Sequence, residues 1–144
     1  MLIRLVVMVG CWLLAIGIAQ ADIGQIKNVS GEVSIMREGG QLPVQIGDRL
    51  EQNDIVSTGT DGSVGMTFID NTRFSVGPNS RIELSRFRFN STTHEGEFFA
   101  NVRRGTLAVT SGQIAKQSPD AMKVRTPTSV LAVRGTKFVI KVND

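Results

Sequence analysis

From residue 22 onward, apolar side chains recur at every second position in a series of short runs, and the three-to-four-residue spacing of a helix is nowhere sustained. That period belongs to half-buried strands, which turn one face to a core and the other to water. The clearest case is Val64-Gly65-Met66-Thr67-Phe68-Ile69, then Asp70-Asn71, then Thr72-Arg73-Phe74-Ser75-Val76. Asp70 and Asn71 tolerate left-handed geometry, so the pattern predicts a tight hairpin with a two-residue connection, its side chains Val64, Met66, Phe68, Phe74 and Val76 facing inward. Gly77-Pro78-Asn79 predicts a corner, because proline fixes φ and lacks the amide donor that a central strand needs.

The same alternation continues in Val29-Gly31-Val33-Ile35, with a turn expected at Gly39-Gly40, and in Arg81–Leu84, Phe87–Phe89, Phe98–Val102 and Thr106–Val109. It closes in Lys123–Pro127, Val130–Val133 and Thr136–Val142, while Ser111–Ala121, with Gly112, Ser118 and Pro119, is the longest stretch expected to be a loop. Many short strands between turns imply an all-β fold, either a β-solenoid or a twisted β-sandwich. The solenoid draws support from an internal echo: Phe74-Ser75-Val76 with Ser80, Ile82 and Leu84 is matched by Leu131-Ala132-Val133 with Thr136, Phe138 and Ile140. With 144 residues, the chain has room for one core.

Residues 1–21 read as a signal peptide that would form an N-terminal helix, followed by a β domain over 22–144. Arg4 supplies the positive end, Leu5–Ala19 the apolar stretch, and Ala19-Gln20-Ala21 the small residues that a leader peptidase reads, which makes Asp22 the expected first residue after cleavage. The alternative is an uncleaved anchor, but the apolar stretch is shorter than the roughly 20 residues that span a bilayer. Cys11 is the only cysteine, and its apolar run continues through Trp12 and Leu13 where a lipoprotein turns polar. The domain itself is therefore without disulfides or thiol chemistry. The expected location is the periplasm or the exterior, with membrane contact only through the leader if it stays attached. No cytoplasmic segment is expected before the leader, and no further domain after Val142.

Little in the sequence points to catalysis. His94, the only histidine, lies in the polar run Ser91–Gly96 and reads as part of an exposed turn. No nucleophile elbow, phosphate loop or zinc spacing occurs. Asp48, Glu51 and Asp54 recur at three-residue intervals but lack the glycine and alternating donors of a calcium loop, so they read as a solvated face. We expect no enzyme activity, no cofactor and no metal. The formal net charge of +3 falls by one when Arg4 leaves with the leader, and no basic stripe remains, so nucleic acid is not an expected partner. Arg125 and Arg134 place two long cations near one end of the domain and are candidate partner contacts. Phe87, Phe89, Phe98 and Phe99 are the clustered aromatics that a glycan could use, although core is the simpler reading.

Taken in order, these motifs resemble a FecR domain. They are Gly31-Glu32-Val33, Ile46-Gly47-Asp48-Arg49-Leu50 leading to Asp54-Ile55-Val56-Ser57-Thr58-Gly59, Met66-Thr67-Phe68-Ile69-Asp70 and Val76-Gly77-Pro78-Asn79-Ser80. Arg104-Gly105-Thr106-Leu107, Val124-Arg125-Thr126-Pro127-Thr128 and Val133-Arg134-Gly135-Thr136-Lys137-Phe138 complete the series, which covers about Ile26 to Val142. Gly31, Gly47, Asp48, Gly59, Asp70, Asn71, Pro78, Asn79, Gly105, Pro127 and Gly135 then read as structural punctuation. The resemblance implies a non-enzymatic envelope module with a solenoid or twisted sandwich fold. It also implies protein binding in envelope signalling or assembly, with an unknown envelope protein as partner. Peptidoglycan or an exported polysaccharide is the alternative ligand. FecR regulators pass a siderophore-uptake signal to a sigma factor, but the resemblance does not extend to the cytoplasmic segment of that plan.

Overall fold

A computed structural model describes residues 21–133 and 135–143. Residues 1–20 of the leader, including Ala19, lie outside the described residues, as do Arg134 and Asp144. The strands run β1 (Gly24–Ser30), β2 (Val33–Arg37), β3 (Gly40–Pro43), β4 (Arg49–Leu50), β5 (Ile55–Thr58) and β6 (Ser63–Phe68). Then come β7 (Arg73–Val76), β8 (Arg81–Phe89), β9 (Gly96–Thr110), the short helix α1 (Gln113–Gln117), β10 (Met122–Arg125), β11 (Val130–Ala132) and β12 (Lys137–Val142).

All the strands join one sheet that is folded over on itself. One layer is β4-β1-β6-β7 and the second half of β9, with β12 beyond it. The other layer is β3-β2-β5-β8 and the first half of β9, with β10 and β11 beyond. The all-β expectation holds. Among the described residues every pairing is antiparallel except β9 with β10, whereas a solenoid stacks its coils in parallel; the chain has the curled, sandwich-like form instead.

The fold line can be traced residue by residue. Besides the crossings into and out of β4, the chain passes between layers at Gly31, at Gly59–Gly62 and at Gly77–Asn79, and β9 itself bends at Gly105. These four corners are bonded in a row. Gly59 N–H donates to Glu32 O at 2.9 Å and Asn79 N–H to Gly59 O at 3.0 Å. Thr58 Oγ1 donates to Gly77 O at 2.6 Å, and Gly77 N–H to Thr106 O at 3.0 Å. Ser80, fully buried, accepts Thr106 N–H on its hydroxyl at 3.0 Å. The close approach leaves no space for side chains: a methyl on Gly31 would lie 2.2 Å from Asp61 O, and one on Gly105 would lie 2.0 Å from Ser80 Oγ. Both glycines also have positive φ, +65° and +90°.

Between the layers lies an aromatic centre. Val64, Met66, Phe68, Phe74 and Val76 are all buried, with Val64 opposite Val76 and Met66 opposite Phe74. Phe68 and Phe74 from one layer meet Phe87 and Phe98 from the other, Phe68 and Phe98 edge-on with ring centroids 4.6 Å apart; within the second layer Phe87 and Phe98 also meet edge-on, at 4.8 Å. Edge-on contacts of this kind add to the burial of apolar area.

Four local expectations are corrected. The β6–β7 connection is longer than two residues, because Phe68 N–H donates to Thr72 O at 2.9 Å and Asn71 takes φ +69° in the added bulge. The runs 81–84 and 87–89 are one strand, β8, interrupted by a register shift between Glu83 and Arg86 that lets both Leu84 and Phe87 face the core. Phe98–Val102 and Thr106–Val109 are likewise one strand, β9. The expected loop 111–121 contains α1, whose Ile114 and Ala115 are buried.

Candidate functional site

Buried polar groups are the usual starting point for chemistry, and here the two fully buried carboxylates, Asp54 and Asp70, hold backbone. Asp70 is fully buried; it accepts Thr72 N–H at 3.0 Å, Thr72 Oγ1–H at 2.7 Å and Ile114 N–H at 3.3 Å. It thereby ties the hairpin loop to the start of α1. Asp54 is also fully buried, which corrects the solvated-face reading. Its carboxylate takes a two-pronged contact from Arg37, Nε at 2.9 Å and Nη2 at 2.8 Å, and a third bond from Glu51 N–H at 2.8 Å. The hydrogen bond from Arg37 to Asp54 raises the arginine's pKa further, so the guanidinium stays charged. Asp48 faces elsewhere and accepts Gln45 N–H at 2.8 Å, with Gly47 beside it at φ +93°. Glu51 and Asp54 thus share Arg37, Glu51 Oε2 lying 3.3 Å from its Nε, while Asp48 serves a separate turn. Among the described residues no group of three His, Cys, Asp or Glu side chains is placed to hold a metal.

The other singled-out residues fall at turns and edges. Pro78 and Asn79 form the corner between β7 and β8, with Asn79 at φ +53°. Pro127 lies in the β10–β11 loop, closed by Thr126 N–H to Ser129 O at 2.8 Å. Gly135, at φ +89°, offers its carbonyl to Ser111 Oγ–H at 2.7 Å. Asp22 pairs with Arg49 at 2.8 Å, and Ala21 is exposed. His94 is exposed in the β8–β9 loop, its ring over Phe89 at 6.1 Å.

The distinctive feature is a sheet edge, which sequence reasoning did not locate because it depends on which strands end up last in each layer. Among the described residues four strands are edges, and three of them are blunted. β4 is two residues long and β11 three. β3 is four residues long and ends in Pro43. Across the two-residue turn Glu38-Gly39, Arg37 and Gly40 form a hydrogen-bonded pair, which puts the backbone of Gln41 and Pro43 on the open side, where proline has no N–H to offer.

β12 has none of these protections. It is six residues long and pairs with β9 without a register shift. Ser111 N–H donates to Thr136 O at 2.8 Å, and the antiparallel rule then assigns the backbone of Phe138, Ile140 and Val142 to β9. The opposite parity holds on the far side of β9, where Thr106 O accepts from Gly77 N–H. The N–H and C=O groups of Lys137, Val139 and Lys141 therefore line the open side of β12. Their side chains are exposed, Val139 at 68%, while Ile140 faces the core.

A second surface lies on the outer face of the β8-β9-β10 layer. Phe99 stands in register between Arg86 and Lys123, and Asn101 between Glu83 and Arg125. Phe99, Asn101, Lys123 and Arg125, with Ser85, Ala100 and Val130, line a shallow groove of about 370 Å³. Arg86 and Arg103 are held by Glu97 and Glu83, at 2.9 and 2.8 Å. Lys123 and Arg125 have no carboxylate partner among the described residues. Of the four clustered aromatics, Phe87 and Phe98 are core, while Phe89 and Phe99 are half-buried.

Comparison with known proteins adds the following. A family model described as "FecR protein" matches residues 54–144. No curated protein matches the chain. A solved structure described as "Cell surface anchoring domain" is similar at 31% identity, covering 44% of this chain and 84% of that one, with a TM-score of 0.42.

Proposed function

This chain belongs to the FecR protein family, and from that premise we propose that it is a non-enzymatic module of the cell envelope, exported by its leader, that binds a protein partner by accepting a strand along β12. The observation that carries this reading is the contrast among the four edges: three are short or closed by proline, and β12 presents a straight row of backbone donors and acceptors. Strand addition needs no catalytic or metal-ligating group, since main-chain bonds provide the affinity. The engagement of Asp54 and Asp70 in structural bonds is consistent with a binding role. Among the described residues no helix is long and apolar enough to cross a membrane.

The groove over Phe99 favours a second reading, an anionic wall glycan whose sugar face covers the ring while Lys123 and Arg125 meet its carboxylates. One substitution separates the two. Val139→Pro removes an N–H that faces the open side and leaves the bonds to β9 intact, so the domain is expected to fold with its melting midpoint nearly unchanged. It is also expected to lose at least tenfold in capture of a protein partner from envelope extract. Arg125→Ala is expected to leave that capture unaltered. Cosedimentation with purified cell wall that is lost on Arg125→Ala, together with protein capture unaffected by Val139→Pro, would instead establish the glycan reading.

A further inference from the structure

The open edge carries a charge pattern that limits what can dock on it. On the exposed face of β12, Lys137 and Lys141 lie two positions either side of Val139, which is 68% exposed. In a paired strand, the side chains directly opposite these three share their face, at close cross-strand distance, where opposite charges attract and like charges repel. A second copy of the chain is disfavoured by the same geometry. Antiparallel pairing of two β12 strands centred on Val139 sets Lys137 of each opposite Lys141 of the other.

The other face of an added strand is specified by the topology. On the side of β9 away from β7 and β8, one layer has two strands, β10 and β11, and the other has only β12. A strand added to β12 therefore lies across from β11. There Leu131, opposite Val124 in register and so turned toward the interlayer side, is still 42% exposed. Phe138, on the inward face of β12, is only partly buried. Apolar side chains on the inward face of the incoming strand would cover both.

We infer that the partner of β12 is an extended acidic segment of another protein, reading acidic, apolar, apolar, apolar, acidic. The outer carboxylates sit opposite Lys137 and Lys141, the central apolar residue opposite Val139, and the two between them point toward Leu131. This rests on the strand-addition reading above and adds the chemistry of the incoming strand.

The test uses two synthetic peptides on the full chain, followed by amide NMR. One has glutamates two positions either side of a central valine with leucines between; the other replaces the glutamates by lysines. The glutamate peptide is expected to bind about tenfold tighter at low salt, as two cross-strand pairs change from repulsive to attractive. The preference narrows at high salt because the pairs are exposed. In Lys137→Glu/Lys141→Glu it inverts, and sedimentation shows the unmodified chain as a monomer. Equal binding of both peptides, abolished by Val139→Pro, overturns the charge inference and leaves strand addition standing. Binding that ignores Val139→Pro, or no binding, overturns strand addition and the inference with it. A dimer that Val139→Pro dissolves would show that the occupant is a second copy and overturn the inference.

Discussion

Gly105→Ala is expected to destabilise the domain by about 3 to 5 kcal/mol, combining left-handed strain with overpacking, and to lower the urea midpoint accordingly. The residue sits at φ +90°, a conformation that a residue with a Cβ adopts only under strain. The added carbon would also lie 2.0 Å from Ser80 Oγ and 2.4 Å from Ser80 Cα. Ser80 cannot move aside cheaply, because its hydroxyl accepts Thr106 N–H at 3.0 Å and its N–H donates to Thr58 Oγ1 at 2.9 Å. Relief would have to come from straightening β9, which would pull its two halves out of their separate layers. Gly39→Ala makes a useful contrast: it also has positive φ, +76°, but nothing lies within 4 Å of the added carbon. Only the strain applies there, about 1 kcal/mol. Equal effects of the two substitutions would mean that the bend at Gly105 is not where the layers are joined.

The second large effect is at Phe68. Its ring is 2% exposed and touches Phe74 at 4.8 Å in its own layer and Phe98 at 4.6 Å in the other. Truncation to alanine opens a cavity whose walls belong to both layers and cannot close on it without shifting a strand. The expected cost is about 3 to 5 kcal/mol. Phe99→Ala, on the outer face, is expected to change stability by less than about 1 kcal/mol. Thermal unfolding of both variants measures the difference. A Phe68→Ala midpoint equal to that of the unaltered chain would show that the layers do not pack through this ring.

These two positions also show what the sequence makes legible. The alternation around Phe68 could be read directly because β6 and β7 are adjacent in sequence and each has one wet face, so the pattern of residues is the pattern of burial. At Gly105 only part of the story was visible. The dipeptide Arg104-Gly105 reads as a break between two strands, since a bend puts Arg103 and Arg104 in water and interrupts the alternation. The chain uses it to keep one strand in both layers. The bulge near Ser85 produced the same misreading in β8, where a single extra residue reverses the parity. α1 was hidden for a different reason: it has no capping side chain of its own, and its first amides are held by Asp70, 44 residues away in the chain for Ile114. The burial of Asp54 likewise depends on Arg37, a partner brought near only by the fold.

The site was less legible than the core. An open edge is a property of strand order, and no residue type marks it. Lys137, Val139 and Lys141 look like any exposed strand face until the pairing of β9 with β7 and β12 fixes which backbone groups point outward. Arg125 was visible as a cation near one end of the domain. That it stands beside Asn101, in the groove that Phe99 also lines, follows from the parallel pairing of β10 with β9, which short alternating runs do not announce.

An open β12 edge leaves its mark in residue-resolved amide exchange of the full chain. The record along β12 is expected to alternate: slow exchange at Phe138, Ile140 and Val142, bonded to β9, and fast exchange at Val139 and Lys141, open to solvent. Protection of Val139 and Lys141 equal to that of their neighbours, in the chain alone, would show the edge already covered and contradict strand addition along it.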